Sequence, residues 1–237
     1  MLPVVWLPGL LSTAAVFDGA RARLPAGGDM RLITLPALDD FGAIAAEIAA
    51  QLPARCVLVG HSMGSYLCLD LWRRVPERIA GLALLSCTAS ADTQDGRTAR
   101  AKAVRYAEKA GITALAEAVA QQTLSPASRA DAALRAQVVA MAEAVGAQTF
   151  ARHQAALAAR PDSTADLPGI TCPVLAVTGS EDPVTPPEAG RALAAAVPQG
   201  AFHEIEGAGH MLPLEAPDAL SALLQPFLTT CSQEATA

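Results

Sequence analysis

Lysine is nearly missing from this chain. It occurs at Lys102 and Lys109, and the arginines are scattered without forming a stripe. A protein that follows a phosphate backbone needs clustered cations, so nucleic acid is excluded as a partner. The formal net charge of −6 describes a mildly acidic protein instead. No apolar stretch free of breakers reaches the ~18 residues that span a bilayer. The apolar opening Met1–Gly19 lacks a basic start and is interrupted by Pro8 and Gly9. No membrane association is therefore expected, and the expected location is cytoplasmic. Cys56, Cys68, Cys87, Cys172 and Cys231 are odd in number, widely spaced and contain no C-x-x-C pair. That pattern predicts buried thiols in a reducing compartment, not a disulfide framework. Neither H-E-x-x-H, a Cys/His cluster nor a G-x-G-x-x-G loop occurs, so no metal and no organic cofactor is expected. Aromatics make up only 4% of residues, which leaves the core to Val, Leu, Ile and Ala.

What is present suits one domain with an insertion. The chain has 237 residues, 52% of them apolar, enough to bury a large core. Short apolar runs alternate with helical patterns, the sign of a parallel sheet with crossover helices. Strands are predicted at Val4–Leu7, Met30–Leu35, Cys56–Val59, Ile79–Ser86, Val174–Thr178 and Ala201–Ile205. Helices are predicted at Ala14–Leu24, from a cap at Asp39 or Asp40 to Leu52, and at Met63–Arg74, Pro187–Val197 and Pro217–Leu228, with a frayed polar tail from Thr229. Between the fourth and fifth strands no strand pattern appears. Four helices are predicted there instead: Arg97–Ala110, Thr113–Gln122, Ser128–Val145 and Gln148–Ala159. The fold class is thus α/β, a mostly parallel sheet of about six strands with flanking helices and a helical cap after the fourth strand. The domain division is core 1–88, cap 89–166 and core 167–237.

The sharpest motif is Gly60-His61-Ser62-Met63-Gly64, a G-x-S-x-G between a buried strand and a helix. Chance yields such a pentad in fewer than roughly one chain in ten of this length, and the strand-turn-helix setting lowers that further. The context is that of a nucleophile elbow, where a tight turn needs small neighbours and the helix N-terminus adds positive potential. Ser62 is the candidate nucleophile, and a serine needs a base. Of the four histidines, His210 lies in a glycine-bearing loop after the last strand, at the same sheet end as Ser62. His61 is assigned to packing near the pocket, His153 to the cap and His203 to a half-exposed strand position. The base needs a carboxylate to fix its tautomer. Asp182, just past the fifth strand, is the candidate, with Glu181 its neighbour in competition and Asp92 a remote one. The chain order Ser, Asp, His agrees with this type of elbow. Oxyanion donors are expected from the backbone N–H of Met63 and of Leu10, with Leu11 as the alternative to Leu10.

With these residues in hand, the chain resembles the α/β-hydrolase superfamily, in particular its compact bacterial branch with a helical cap. That branch holds carboxylesterases, enol-lactonases and non-metal haloperoxidases. The segments that carry the resemblance are Leu7-Pro8-Gly9-Leu10-Leu11, Gly60–Gly64, Gly179–Pro183 with Thr185-Pro186, Gly209-His210 with Glu215 and Pro217, and His153–Asp162 at the end of the cap. One departure is Pro8, where many relatives carry histidine before the oxyanion-loop glycine. The resemblance implies a Ser62–His210–Asp182 triad and ester hydrolysis without a cofactor.

The expected pocket is apolar, formed by Leu11, His61, Val184, Met211 and Leu212 around the triad, for a small to medium carboxylic ester, thioester or lactone. Arg97, Arg100 and Arg152 read as solvated helix faces, with carboxylate binding as the alternative. The same scaffold supports carbon–carbon bond hydrolysis, elimination and perhydrolysis, and also a non-catalytic ligand-binding protein. A cap surface that pairs two copies into a homo-oligomer is compatible with any of these.

Overall fold

In the computed structural model, which describes residues 1–26 and 28–234, the apolar runs form one sheet of β1 (Val4–Leu7), β2 (Met30–Leu32), β3 (Cys56–His61), β4 (Ile79–Leu85), β5 (Val174–Gly179) and β6 (Gly200–Ile205). The strand order is β2-β1-β3-β4-β5-β6 and every pairing is parallel. Side chains alternate strictly between two cores. Val5, Leu7, Leu58, Leu82 and Leu84 point to one face, and Trp6, Val57, Val59, Ala83 and Leu85 to the other. A one-residue slip would move each set into the wrong layer, at about 1.5–3 kcal/mol per large side chain, which is how apolar content fixes register.

Helices cover both faces. The first core receives Ile44 and Ile48 of α2 (Phe41–Gln51), Leu67 and Leu71 of α3 (Met63–Arg74) and Leu193 of α8 (Pro187–Ala195). Asp40, not Asp39, caps α2, its Oδ1 accepting from Ala43 N at 2.7 Å. The opposite core is closed by Val16 and Phe17 of a 3₁₀ turn and by Leu220, Leu224 and Leu228 of α10 (Pro217–Glu234).

Several expectations change here. The predicted helix Ala14–Leu24 is a 3₁₀ turn at Ala14–Phe17 followed by a single-turn α1 (Asp18–Arg21), because Phe17 must turn inward against Trp6, 5.0 Å between ring centroids. The second strand stops at Leu32, not Leu35: Ile33 sends one more N–H to Trp6 O and the chain then leaves toward Pro36. The C-terminal helix runs on to Glu234, although the polar tail reads as frayed. Cys231 is fully buried, with its sulfur 2.4 Å from where a Cβ on Gly81 would sit, and Leu2 N donates to Ser232 Oγ. Residues 235–237 of that tail lie outside the described residues.

Between β4 and β5 lie α4 (Gln94–Ala110), α5 (Ile112–Thr123), the short α6 (Pro126–Ala130) and α7 (Ala132–Ala158). The predicted break at Gly146 is present within α7 as a φ of 78°. These helices make a small core of their own, with Leu115, Ala116, Ala142 and Phe150 packed around Leu11 of the β1 loop. Among the described residues no helix is long and apolar enough to cross a membrane.

Candidate active site

After β1 the chain first goes outward to β2 and then crosses back to β3. Loops leaving the carboxyl ends of β1 and β3 therefore diverge, and ligands of open parallel sheets bind at such a switch point. Ser62 leaves β3 there, with φ 51° and ψ −114°. Among the described residues Leu11, Ser62 and Ser86 are the three non-glycine residues with positive φ, and they follow β1, β3 and β4 at this one edge. Backbone held in that region costs about 1–3 kcal/mol per residue and persists only where its surroundings enforce it. Around Ser62 they do. A Cβ on Gly60 would sit 2.5 Å from the Gly64 carbonyl, and one on Gly64 would sit 2.0 Å from Leu7 O. Ser62 N donates to Leu85 O at 2.9 Å. Ser65 Oγ donates to Gly60 O at 2.7 Å and accepts from Leu85 N at 3.0 Å, a brace the sequence did not reveal.

The three candidate side chains meet. Ser62 Oγ lies 2.9 Å from His210 Nε2, and His210 Nδ1 lies 2.9 Å from Asp182 Oδ2 and 3.0 Å from Oδ1. The carboxylate fixes the proton on Nδ1, which leaves Nε2 to accept from the Ser62 hydroxyl. Asp182 Oδ1 also accepts from Val184 N and Thr185 N, and Oδ2 from Thr185 Oγ1 at 2.8 Å. Burial alone would raise the Asp182 carboxyl, but His210 and the two Thr185 donors outweigh it and bring it down to about 2. Glu181, the competitor in sequence, is exposed, and Asp92 pairs with Arg100 and Arg160.

His210 follows an edge strand that is largely exposed, so its loop is held by other means. Its carbonyl accepts from His61 Nε2 at 2.8 Å and from Ser86 Oγ at 3.2 Å, and its N–H donates to Thr123 O of α5 at 2.7 Å. Because His61 gives its Nε2 proton to that carbonyl, Nδ1 is the bare acceptor, buried and unpartnered. Burial above all, with His210 close by, lowers His61 to about 3, so it stays neutral. Glu215 Oε2 accepts from both Gly209 N at 3.1 Å and Ser125 N at 2.8 Å, tying the histidine loop to the helical insertion.

A cavity of about 380 Å³ opens beside Ser62. Leu10, Leu11, His61, Val184 and Met211 line it, with Val184 52% exposed at its rim. Leu212 does not. It opens α9 (Leu212–Glu215) and is fully buried in the core below, because the chain turns back into the fold after Met211. The remaining wall comes from the insertion: Ala103 and Arg100 of α4, Leu115, Val119 and Thr123 of α5, Phe150, Gln154 and Leu157 of α7, with Tyr66 of α3. Sequence patterns give a helix face but not what it meets, so Tyr66, Phe150 and Gln154 were not legible as site residues, and Thr185, quoted for the resemblance, was not assigned to the carboxylate it holds. Arg152 donates to Ala37 O and Arg97 to Asp92 O, both away from the cavity, whereas Arg100 faces it. His153, assigned to the cap, is buried with Nε2 on Pro36 O, and His203 is exposed. Among the described residues, no three His, Cys, Asp or Glu side chains gather as a metal site would need.

Known proteins are similar to this chain in sequence and fold. The chain is 28% identical over 232 residues to the biotin biosynthesis bifunctional protein BioHC of Cellvibrio japonicus, spanning 91% of this chain but only 44% of that protein. It is 27% identical to the pimeloyl-[acyl-carrier protein] methyl ester esterase of Neisseria meningitidis, over 90% of this chain and 87% of the other. Among solved structures, a thermophilic esterase from Thermogutta terrifontis superposes with a TM-score of 0.90 at 25% identity, covering 98% of this chain and 90% of that one. The model of the Alpha/beta hydrolase family matches residues 4–223, the whole sheet and the insertion included, and the chain belongs to that family.

Proposed function

We propose that this protein is a serine hydrolase that cleaves a small to medium carboxylic ester, thioester or lactone through an acyl-enzyme on Ser62. The observation that carries this reading is the unbroken relay from Ser62 Oγ through His210 to Asp182, each step 2.9 Å. It opens onto a cavity of about 380 Å³, within the usual size for a small-molecule site. The esterases among its relatives support the same chemistry.

His210 Nε2 takes the Ser62 proton as Oγ attacks the carbonyl carbon, and the imidazolium is stabilised by the Asp182 carboxylate. The oxyanion is held by two backbone N–H groups. Met63 opens α3, and the first N–H groups of a helix have no partner within it. Leu10 lines the cavity on the β1 loop, where Gly9 packs so close that a Cβ would stand 3.2 Å from Ser62 Cβ. One such donor contributes about 10²–10³ in rate. His210 then protonates the leaving alkoxide and, in the second half, activates water against the acyl-enzyme. The helical insertion acts as the cap that excludes bulk water.

The test is hydrolysis of p-nitrophenyl esters from acetate to dodecanoate by wild type and Ser62→Ala. Turnover that falls by at least ~10³-fold in the variant is expected, together with fluorophosphonate labelling confined to Ser62. Equal rates for the two proteins, or labelling elsewhere, would overturn the reading.

A further inference from the structure

The cavity beside Ser62 is apolar along Leu115, Phe150 and Leu157, but it carries one fixed charge. Arg100 is the single Lys, Arg, Asp or Glu side chain among the described lining residues. Its side chain is 22% exposed and is held by Asp92 through Nε and Nη2, and by Gln154 Oε1 on Nη1 at 2.8 Å. Asp92 does not neutralise it, because the same carboxylate pairs with Arg160, which is 5% exposed and stacks 4.3 Å over the Tyr66 ring. The next carboxylate, Asp162, is exposed and accepts from Ala91 N and Thr164 N. Two guanidinium groups thus share one buried carboxylate, the exposed Asp162 lies on the Arg160 side, and no carboxylate lines the cavity opposite Arg100. Gln154, 6% exposed, gives its carbonyl oxygen to Arg100, so what remains to it is an N–H₂ donor. On its cavity side this corner offers donors and cationic potential, and no acidic group is among the described lining residues. A neutral apolar chain gains nothing from it, whereas an anion does.

We propose that Arg100 and Gln154 form a carboxylate-binding subsite and that the substrates are esters bearing an acidic group beyond an apolar spacer, such as half-esters of aliphatic dicarboxylic acids. The inference rests on the ester-hydrolase reading for its reaction but not for its binding. The apolar walls take the methylene chain, the free carboxylate meets the guanidinium, and the ester carbonyl reaches Ser62. Arg100 is the specificity-determining residue.

Ser62→Ala binds without turnover, so affinity and chemistry separate. Calorimetry should find monomethyl adipate at least ~10-fold tighter than dimethyl adipate on Ser62→Ala. That preference should vanish in Ser62→Ala/Arg100→Gln and be largely kept in Ser62→Ala/Arg100→Lys. In the catalytically intact chain, Arg100→Gln should lower the kcat/KM ratio of monoester to diester by ~10-fold, mainly through KM. A residue that only tethers the insertion would lower both esters by one factor, and that result overturns the subsite. So does equal affinity for the two esters on Ser62→Ala, which is readable whether or not the Arg100 variants fold. Preferential monoester binding with no hydrolysis of either ester by wild type would keep the subsite and refute the ester-hydrolase reading instead.

Discussion

Ser62 and Asp182 stand at the ends of β3 and β5, strands buried at every residue, while Arg100 and Gln154 hang from helices that meet solvent on their other faces. The contrast extends to the packing. The sheet carries two extended cores, whereas α4, which supplies Arg100, buries Ala107 alone. The floor of the cavity is thus specified by many side chains at once, so no single one can drift. The roof is specified by a small apolar core around Leu11 and a few polar ties: Thr123 O to His210 N, Glu215 to Ser125, Arg100 and Arg160 to Asp92. A scaffold divided this way keeps reacting atoms fixed while the residues that meet the rest of the substrate can change without unfolding it.

The largest effect should come from the floor. Asp182→Asn keeps the shape but can donate to His210 Nδ1, which moves the proton to Nε2 and removes the acceptor facing Ser62. Ester kcat should fall by ~10³–10⁴ while the fold is retained. A loss of only a few-fold would mean that the acid does not set the tautomer.

Next in size is the tie between the two regions. Glu215→Ala leaves the N–H groups of Gly209 and Ser125 without their shared acceptor and should cost about 2–4 kcal/mol of stability. Urea unfolding measures it. An unchanged midpoint would show that the roof does not lean on the histidine loop.

The smallest effect tests the burial of the floor by pH. His61 is lowered to about 3 by burial, whereas an unfolded histidine titrates near 6.5. Below about pH 6.5 the unfolded chain therefore binds a proton that the folded chain refuses, and stability drops as pH falls toward 3. Between pH 7 and pH 5 wild type should lose about 2 kcal/mol more than His61→Gln. Asp182, lowered to about 2, acts in a different window: its contribution is complete above about pH 4 and is lost as pH falls through 2. Parallel pH profiles for the two proteins would mean that His61 is protonated in the fold.

Much of this was legible in residue order. The apolar runs gave the strands and the parallel sheet, and the elbow Gly60–Gly64 with the loop positions of Asp182 and His210 brought three distant residues to one sheet edge. Those readings work because parallel strands all end on the same side, so a residue just past a strand is located by counting. The errors fall where tertiary contact overrides local pattern: Phe17 turned against Trp6, Cys231 seated opposite Gly81, and Leu212 drawn into the core instead of the pocket.

The sequence by itself determined the strand segments, their parallel character and which side chains stand at the carboxyl edge, because apolar period and loop position act locally along the chain. Only the tertiary structure decided that Arg100 faces the cavity while Arg97 and Arg152 turn away, and that Asp92 is shared by two arginines and neutralises only one. A helix face is periodic in sequence, but what it faces depends on how helices dock, and the net charge of a corner depends on groups that come together from α4, α7 and the segment after β4.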